Sequence, residues 1–158
     1  MVAMTLELEE GHLQQLSPGL QPFHTLNPAY AALDDGRRIA YGTMGGEGQP
    51  QTQAALFSRF VYQGFNIKEA ISRGRWLLGR TWGDESHNLK IESDLNDKIG
   101  ANLSHLGHDI AVVDPCNELM GHAGAIVLET NGEVAAATDP RSDGKAITQT
   151  FKTPSKAQ

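Results

Sequence analysis

Between Gly42 and Gln53 the chain reads GTMGGEGQPQTQ, four glycines within seven residues followed at once by a polar segment. Upstream, AYAALDDGRRIAYG (29–42) alternates around Asp34-Asp35-Gly36, which predicts two short strands joined by a tight turn. Downstream, Pro50 suits the first position of a helix, where its missing N–H would be unpaired anyway. Leu56, Phe57, Phe60 and Val61 then form an apolar stripe at helical spacing, ended by Gly64. The glycines therefore join a strand to a helix. Such a loop aims free backbone N–H groups, at the positive end of a helix dipole, toward a negative charge.

Three occupants fit that description. A nucleotide phosphate is one, but the loop lacks the terminal Lys-Ser/Thr of a P-loop and the spacing G-x-G-x-x-G, and Glu47 would sit among the phosphates. The oxyanion of an acyl-transfer intermediate is the second, needing two well-aimed donors that Gly45 and Gly46 could supply with no side chain in the way. The third is a tight turn holding nothing, and the residues alone favour it.

The rest of the chain is read outward from this loop. Asn66 with Glu69 has the spacing of a capping box for a short helix, Ile67 to Ser72. RWLLGRTWG (75–83) shows no period and reads as irregular. NLKIE (88–92) is a short strand, and Ser93 is placed to cap a third helix with Leu95, Ile99, Leu103 and Leu106 on one face, stopped by Gly107. HDIAVVD (108–114) is a further strand. GAIVLET-NG-EVAAATD predicts a hairpin with Asn131-Gly132 in a type I′ turn. The order β-β-α-α-β-α-β-β-β gives an α+β sandwich with a largely antiparallel sheet. Residues 1–21 form a lead-in segment, and 145–158 a polar tail.

At 158 residues, 39% apolar and 20% charged, the chain has the totals of one globular domain. Its net charge of -6 and scattered Lys and Arg argue against nucleic acid as a partner. A membrane is not expected either. Cys116 is the only cysteine, so no intrachain disulfide forms. The N-terminus lacks the features of a secretion signal, and a cytoplasmic location is the expectation.

Several other candidates reduce to structural readings. His24, His105, His108 and His122 are too dispersed for a metal set. DPRSDG (139–144) lacks the late bidentate Glu of a calcium loop and reads as a turn. Trp76 and Trp82 read as core or interface, and Thr5 has no base near it in sequence. No cofactor or metal is called for.

PFHTLNP (22–28), GTMGGEGQPQTQ, EAISRGRW (69–76), GHAGAI (121–126) and ATDPRSDG (137–144) together, in this order, resemble the C-terminal part of the small subunit of gamma-glutamyltransferases, also called glutathione hydrolases. The likeness runs from about Pro18 to Gly144, with 22–144 as the domain proper. It is nearest a bacterial branch in which His-Thr-Leu-Asn-Pro stands where better-known members carry Ser-Ser-Met-Thr-Pro.

The resemblance implies an N-terminal nucleophile hydrolase fold, an αββα sandwich of which this chain is an incomplete part. It implies a precursor that cleaves itself into two subunits, and a threonine that attacks the gamma-glutamyl carbonyl with its own α-amine as base. It places the oxyanion hole on Gly45 and Gly46 and raises that reading above the bare turn. The carboxylate-binding serines fall on His24 and Thr25, which puts a strict gamma-glutamyl preference in doubt and admits a glutaryl or cephalosporin-type acyl group. In this family the attacking threonine lies upstream of the block beginning at Pro22, and the large subunit supplies an arginine. The implied partners are a gamma-glutamyl or related acyl substrate, that upstream segment, and further copies of the chain in a homo-oligomer. The alternative is a non-catalytic, self-associating module derived from the same fold.

Overall fold

The computed structural model describes residues 7–21, 24–80, 86–147 and 149. Thr5, Trp82 and the first two residues of PFHTLNP lie outside them. Strand β1 (Ala29–Ala32) turns back as β2 (Arg38–Met44), which runs through Gly45 and a single 3-10 turn, Gly46–Gly48, into helix α1 (Gln49–Phe57). The strand-to-helix role of the loop is therefore as expected. Pro50 sits within the first two positions of α1. The helix does not continue unbroken to Gly64, because Ser58–Tyr62 widens into a π turn.

Asn66 caps α2 (Ile67–Ser72): its side chain accepts from the Glu69 amide at 2.9 Å, and the Glu69 carboxylate takes the Asn66 side-chain amide at 2.7 Å. Trp76–Leu78 forms strand β3, correcting the irregular reading. Strand β4 (Leu89–Glu92) leads straight into α3 (Ser93–His105), whose N-cap is Glu92 with no side-chain cap bond, so Ser93 is the first helical residue instead of the cap. Then follow β5 (Ile110–Val113), β6 (His122–Leu128) and β7 (Val134–Thr138).

The strands form two sheets. One is fully antiparallel, in the order β1-β2-β6-β7; the other is β3-β4-β5, with β4 and β5 parallel. Both hairpins of the larger sheet close in the same way. Gly36 donates to Leu33 and Gly132 donates to Glu129, so each loop has three residues, a tight turn followed by a glycine at positive φ. At the second loop positive φ falls on Gly132 and not on Asn131, which replaces the expected type I′ turn.

Strict alternation gives the large sheet two unlike faces. Ile39, Ala123, Ala125, Val127 and Ala137 point to one side, where Leu56 of α1, Phe60 of the π turn, and Ile67, Ala70 and Ile71 of α2 cover them. This is the core. The opposite face carries Tyr30, Met44, Ile126, Leu128 and Val134, all exposed. Cross-strand register lines Tyr30, Ala40, Ile126 and Ala136 into a single row. A sheet with helices on one face and a bare apolar row on the other is half of a two-sheet sandwich.

Helix α3 is less well covered than its spacing predicts. Leu95 and Leu103 are half-buried while Ile99 and Leu106 face outward. Trp76 is 36% exposed and so is not a core residue. At the edge of β3 the side chain of Gln51 replaces a strand: its Nε2 donates to the Leu78 carbonyl at 2.9 Å and its Oε1 accepts the Leu78 amide at 2.8 Å. No helix among the described residues is long and apolar enough to cross a membrane.

Candidate active site

The strand-to-helix loop takes a backbone path open to glycine. Gly45 has φ 141° and Gly46 φ 53°, both disfavoured for residues bearing a Cβ. Gly45 is buried and Gly46 half-buried. In the backbone hydrogen bonds of the described residues neither amide is a donor to a turn or loop carbonyl, and Gly46 opens a helical turn, where no intrahelical acceptor exists. The arrangement supplies two adjacent donors at the positive end of α1.

The back of the loop is Gly121. A Cβ on Gly45 would stand 3.3 Å from the Gly121 Cα, and one on Gly121 would stand 2.2 Å from the Met44 carbonyl oxygen. Main chain meets main chain here, and only hydrogen fits between.

Behind Gly121 lies a buried ionic network. Arg75 donates from Nη1 to the Met120 and Gly121 carbonyls at 3.2 and 3.0 Å, and its Nη2 lies 2.6 Å from Asp139 Oδ2. The same Asp139 oxygen accepts the Ala123 amide at 2.6 Å, at the start of β6. Asp139 Oδ1 accepts Nη1 of Arg141 at 3.0 Å, and Arg141 closes on Glu92 through Nε at 2.8 Å and through a second contact from Nη2. Glu92 also receives the amides of Arg75 and Asn117. Two guanidinium groups thus face two carboxylates, all four side chains buried.

Burial, then the repulsion of Arg141, lowers the pKa of Arg75 below the usual arginine value. Arg141 is raised instead: burial opposes its charge, but the hydrogen bonds and charges of Glu92 and Asp139 outweigh it. Both remain cations at neutral pH. DPRSDG is a turn, with the Ser142 amide on the Asp139 carbonyl at 3.2 Å, and it is also the anchor of this network.

The HTLNP segment is held against α1 by glutamines. Gln49 Nε2 donates to the Thr25 carbonyl at 3.2 Å, and Gln53, one turn on, donates to the Asn27 carbonyl at 2.6 Å. His24 is exposed and Thr25 half-buried. The structure thus brings the backbone of His24-Thr25 to the same end of α1 as Gly45 and Gly46. Two buried atoms in this neighbourhood lack a partner among the described residues: Oε1 of Gln49, and Nε2 of His122, which pairs across the sheet with Met44. Glu47 does not add uncompensated charge, because Arg80 meets it through Nε and Nη2 at 3.0–3.2 Å.

The sequence reading named Gly45, Gly46, His24 and Thr25 but missed Gln49, Gln53, Arg75, Glu92, Asp139 and Arg141. The glutamines left one signal, polar residues four apart on a helix whose inner face should be apolar. Among the described residues no group of three His, Cys, Asp or Glu side chains is placed to hold a metal ion.

Comparison with known proteins gives these features a family. A family model described as gamma-glutamyltranspeptidase matches residues 2–149. The chain is 58% identical over 139 residues to the oxamate amidohydrolase proenzyme of Klebsiella pneumoniae, covering 88% of this chain and 26% of that protein. It is 43% identical over 140 residues to the glutathione hydrolase-like YwrD proenzyme of Bacillus subtilis, covering 89% and 27%. The chain thus spans about a quarter of the length of these relatives. Among solved structures, a cephalosporin acylase from Bacillus halodurans superposes with a TM-score of 0.75 at 26% identity, over 96% of this chain and 27% of that one. A gamma-glutamyltranspeptidase from Pseudomonas nitroreducens shares the fold at 16% identity and a TM-score of 0.66, over 89% and 70%. The chain has the N-terminal nucleophile hydrolase architecture of these enzymes and belongs to the gamma-glutamyltranspeptidase family.

Proposed function

We propose that these residues form the oxyanion-binding and carboxylate-binding part of an N-terminal nucleophile hydrolase that cleaves an amide through an acyl-enzyme. The attacking threonine comes from outside the 158 residues. When it adds to the substrate carbonyl, the oxygen becomes an alkoxide, and the Gly45 and Gly46 amides donate to it. The threonine's own α-amine takes the hydroxyl proton on attack and gives it to the nitrogen as collapse breaks the C–N bond and expels the amine. Water or an acceptor amine, deprotonated by the same group, then resolves the ester and returns the hydroxyl. His24 and Thr25 bind the far end of the acyl group, with a hydroxyl at the second position and an imidazole at the first. The names of the relatives, an amidohydrolase, a glutathione hydrolase-like protein and an acylase, all fit attack on an acyl carbonyl. The 58% identity favours a small amide such as oxamate over a gamma-glutamyl peptide.

The observation that carries this reading is the pair of adjacent glycine amides opening the 3-10 turn that leads into α1. A chimera tests it, with this chain replacing the matching 139 residues of the Klebsiella proenzyme. It should release ammonia from oxamate. Gly45→Ala should then lower kcat by about 100-fold or more with KM little changed, the mark of an interaction made in the transition state. An active chimera whose kcat survives Gly45→Ala would sink the assignment.

The row of exposed Tyr30, Ala40 and Ile126 with half-buried Ala136 supports a second element of the proposal, that the isolated chain covers this face with another copy of itself. Light scattering should give a mass above the 17.1 kDa of one chain. A monomer stable at all concentrations would rule this out, as would an oligomer unaffected by Ile126→Lys.

A further inference from the structure

At the far end of α1 from the glycine loop, a cavity of about 360 Å³ opens between the π turn, β3 and α3. Ala54 on its wall is the sixth residue of α1, so the cavity lies roughly 7–8 Å along the helix from its start at Gln49, beyond the 3-10 turn that holds Gly46. Ala54, Ala55, Leu95 and the indole of Trp76 make its apolar wall. Its cations are Arg59, Arg73 and Lys98, against one carboxylate, Asp94.

Arg59 is the unusual member. It is only 7% exposed, yet among the described residues no carboxylate pairs with it. Its Nη1 donates to the carbonyls of Ala70 and Arg73 at 3.4 and 3.3 Å, and its Nη2 to that of Gly74 at 2.6 Å. A guanidinium has five N–H donors, and the Nε–H takes no part in these three bonds. Burial comes first, then repulsion from Arg75, Arg141 and Arg73; together they lower its pKa to about 10. A cation held this way is stabilised by any anion that reaches it. The indole of Trp76 lies 5.9 Å from its guanidinium carbon, so an apolar body and a charged head can be met side by side.

We propose that this cavity is a second ligand site, separate from the oxyanion loop, for a small carboxylate bearing an apolar or aromatic body. The carboxylate sits on Arg59, with Arg73 and Lys98 at the rim, and the body lies against Trp76 and Leu95. This inference does not depend on the catalytic reading, since it uses none of that site's residues.

Phenylacetate is the probe, with phenylacetamide as its uncharged match. Titrated into the isotope-labelled 158-residue chain, phenylacetate should give saturable amide shifts at Gly74, Trp76 and Leu95, with a Kd of about 1 mM or tighter. Phenylacetamide should bind at least about tenfold more weakly. Arg59→Gln should abolish saturation. Because Arg59 is buried, that variant can unfold; Lys98→Ala alters only an exposed rim residue, and should weaken binding about two- to fivefold while salt weakens it in the wild type. Equal binding of the amide and the acid, shifts confined to other regions, or no saturation with phenylacetate would each overturn the proposal.

Discussion

Asp139→Ala should leave the chain unfolded or close to it. One carboxylate at 139 takes the Ala123 amide and Nη2 of Arg75 on one oxygen and the amide and Nη1 of Arg141 on the other. Its loss strands buried positive charge with one carboxylate, Glu92, to answer two guanidiniums. Breaking a buried pair by removing one partner costs about 3–5 kcal/mol. That is a large share of the roughly 5–15 kcal/mol that holds a domain of this size. Urea denaturation followed by circular dichroism measures it, and an unchanged midpoint would refute the account. The Asp35–Arg37 pair provides the contrast. Its carboxylate is exposed and its pKa is lowered chiefly by the Arg37 side-chain hydrogen bond, so Asp35→Ala should shift the midpoint little.

Gly121→Ala is expected to have the largest effect on catalysis in the chimera while sparing more of the fold. Gly121 combines φ 77° with ψ 169°, a region reserved almost wholly for glycine, and an added methyl carbon would lie 2.2 Å from the Met44 oxygen and 2.9 Å from Thr43 Oγ1. Thr43 Oγ1 can rotate aside, but the Met44 carbonyl is main chain and cannot. The end of β2 must shift, and with it the Gly45 and Gly46 amides. Misplacement by about 1 Å can cost 100-fold in rate, so kcat should fall by at least that factor. Amide exchange at Met44, Gly45 and Gly46 should rise in parallel. Gly132→Ala is the control: its φ of 87° makes alanine strained too, but nothing lies within 4 Å of the new carbon. It should cost about 1 kcal/mol of stability and leave kcat alone. Wild-type kcat in Gly121→Ala would show that the loop does not depend on its backing.

Local chemistry was the legible part of this protein. Asn66 and Glu69 lie three apart and cap each other, Asp34-Asp35-Gly36 and Asn131-Gly132 mark their hairpins, and the glycines after Met44 mark a strand-to-helix turn. What was hidden depends on partners distant in sequence. β3 is three residues long, with a side chain for one neighbour, so no periodicity could announce it. The division into two sheets, and the parallel pairing of β4 with β5, are long-range choices of the same kind. Arg75, Glu92, Asp139 and Arg141 look like ordinary surface charges in sequence, and Arg141 meets Glu92 across 49 residues. Even the turn type at Asn131 was decided by a closing hydrogen bond between Glu129 and Glu133, which a two-residue loop would not make.

Gln51 gives the smaller sheet a direction. Its amide group imitates a peptide unit so closely that Leu78 is satisfied at both its N–H and its C=O. An incoming chain would have to strip that imitation away before it could lengthen the layer beside Trp76. The opposite margin, along Ile110–Val113, has no such plug at its outer rim among the hydrogen bonds of the described residues. Any extension of this layer by a foreign segment should therefore begin at β5 and grow away from the glutamine, making the accretion of strands a one-way process.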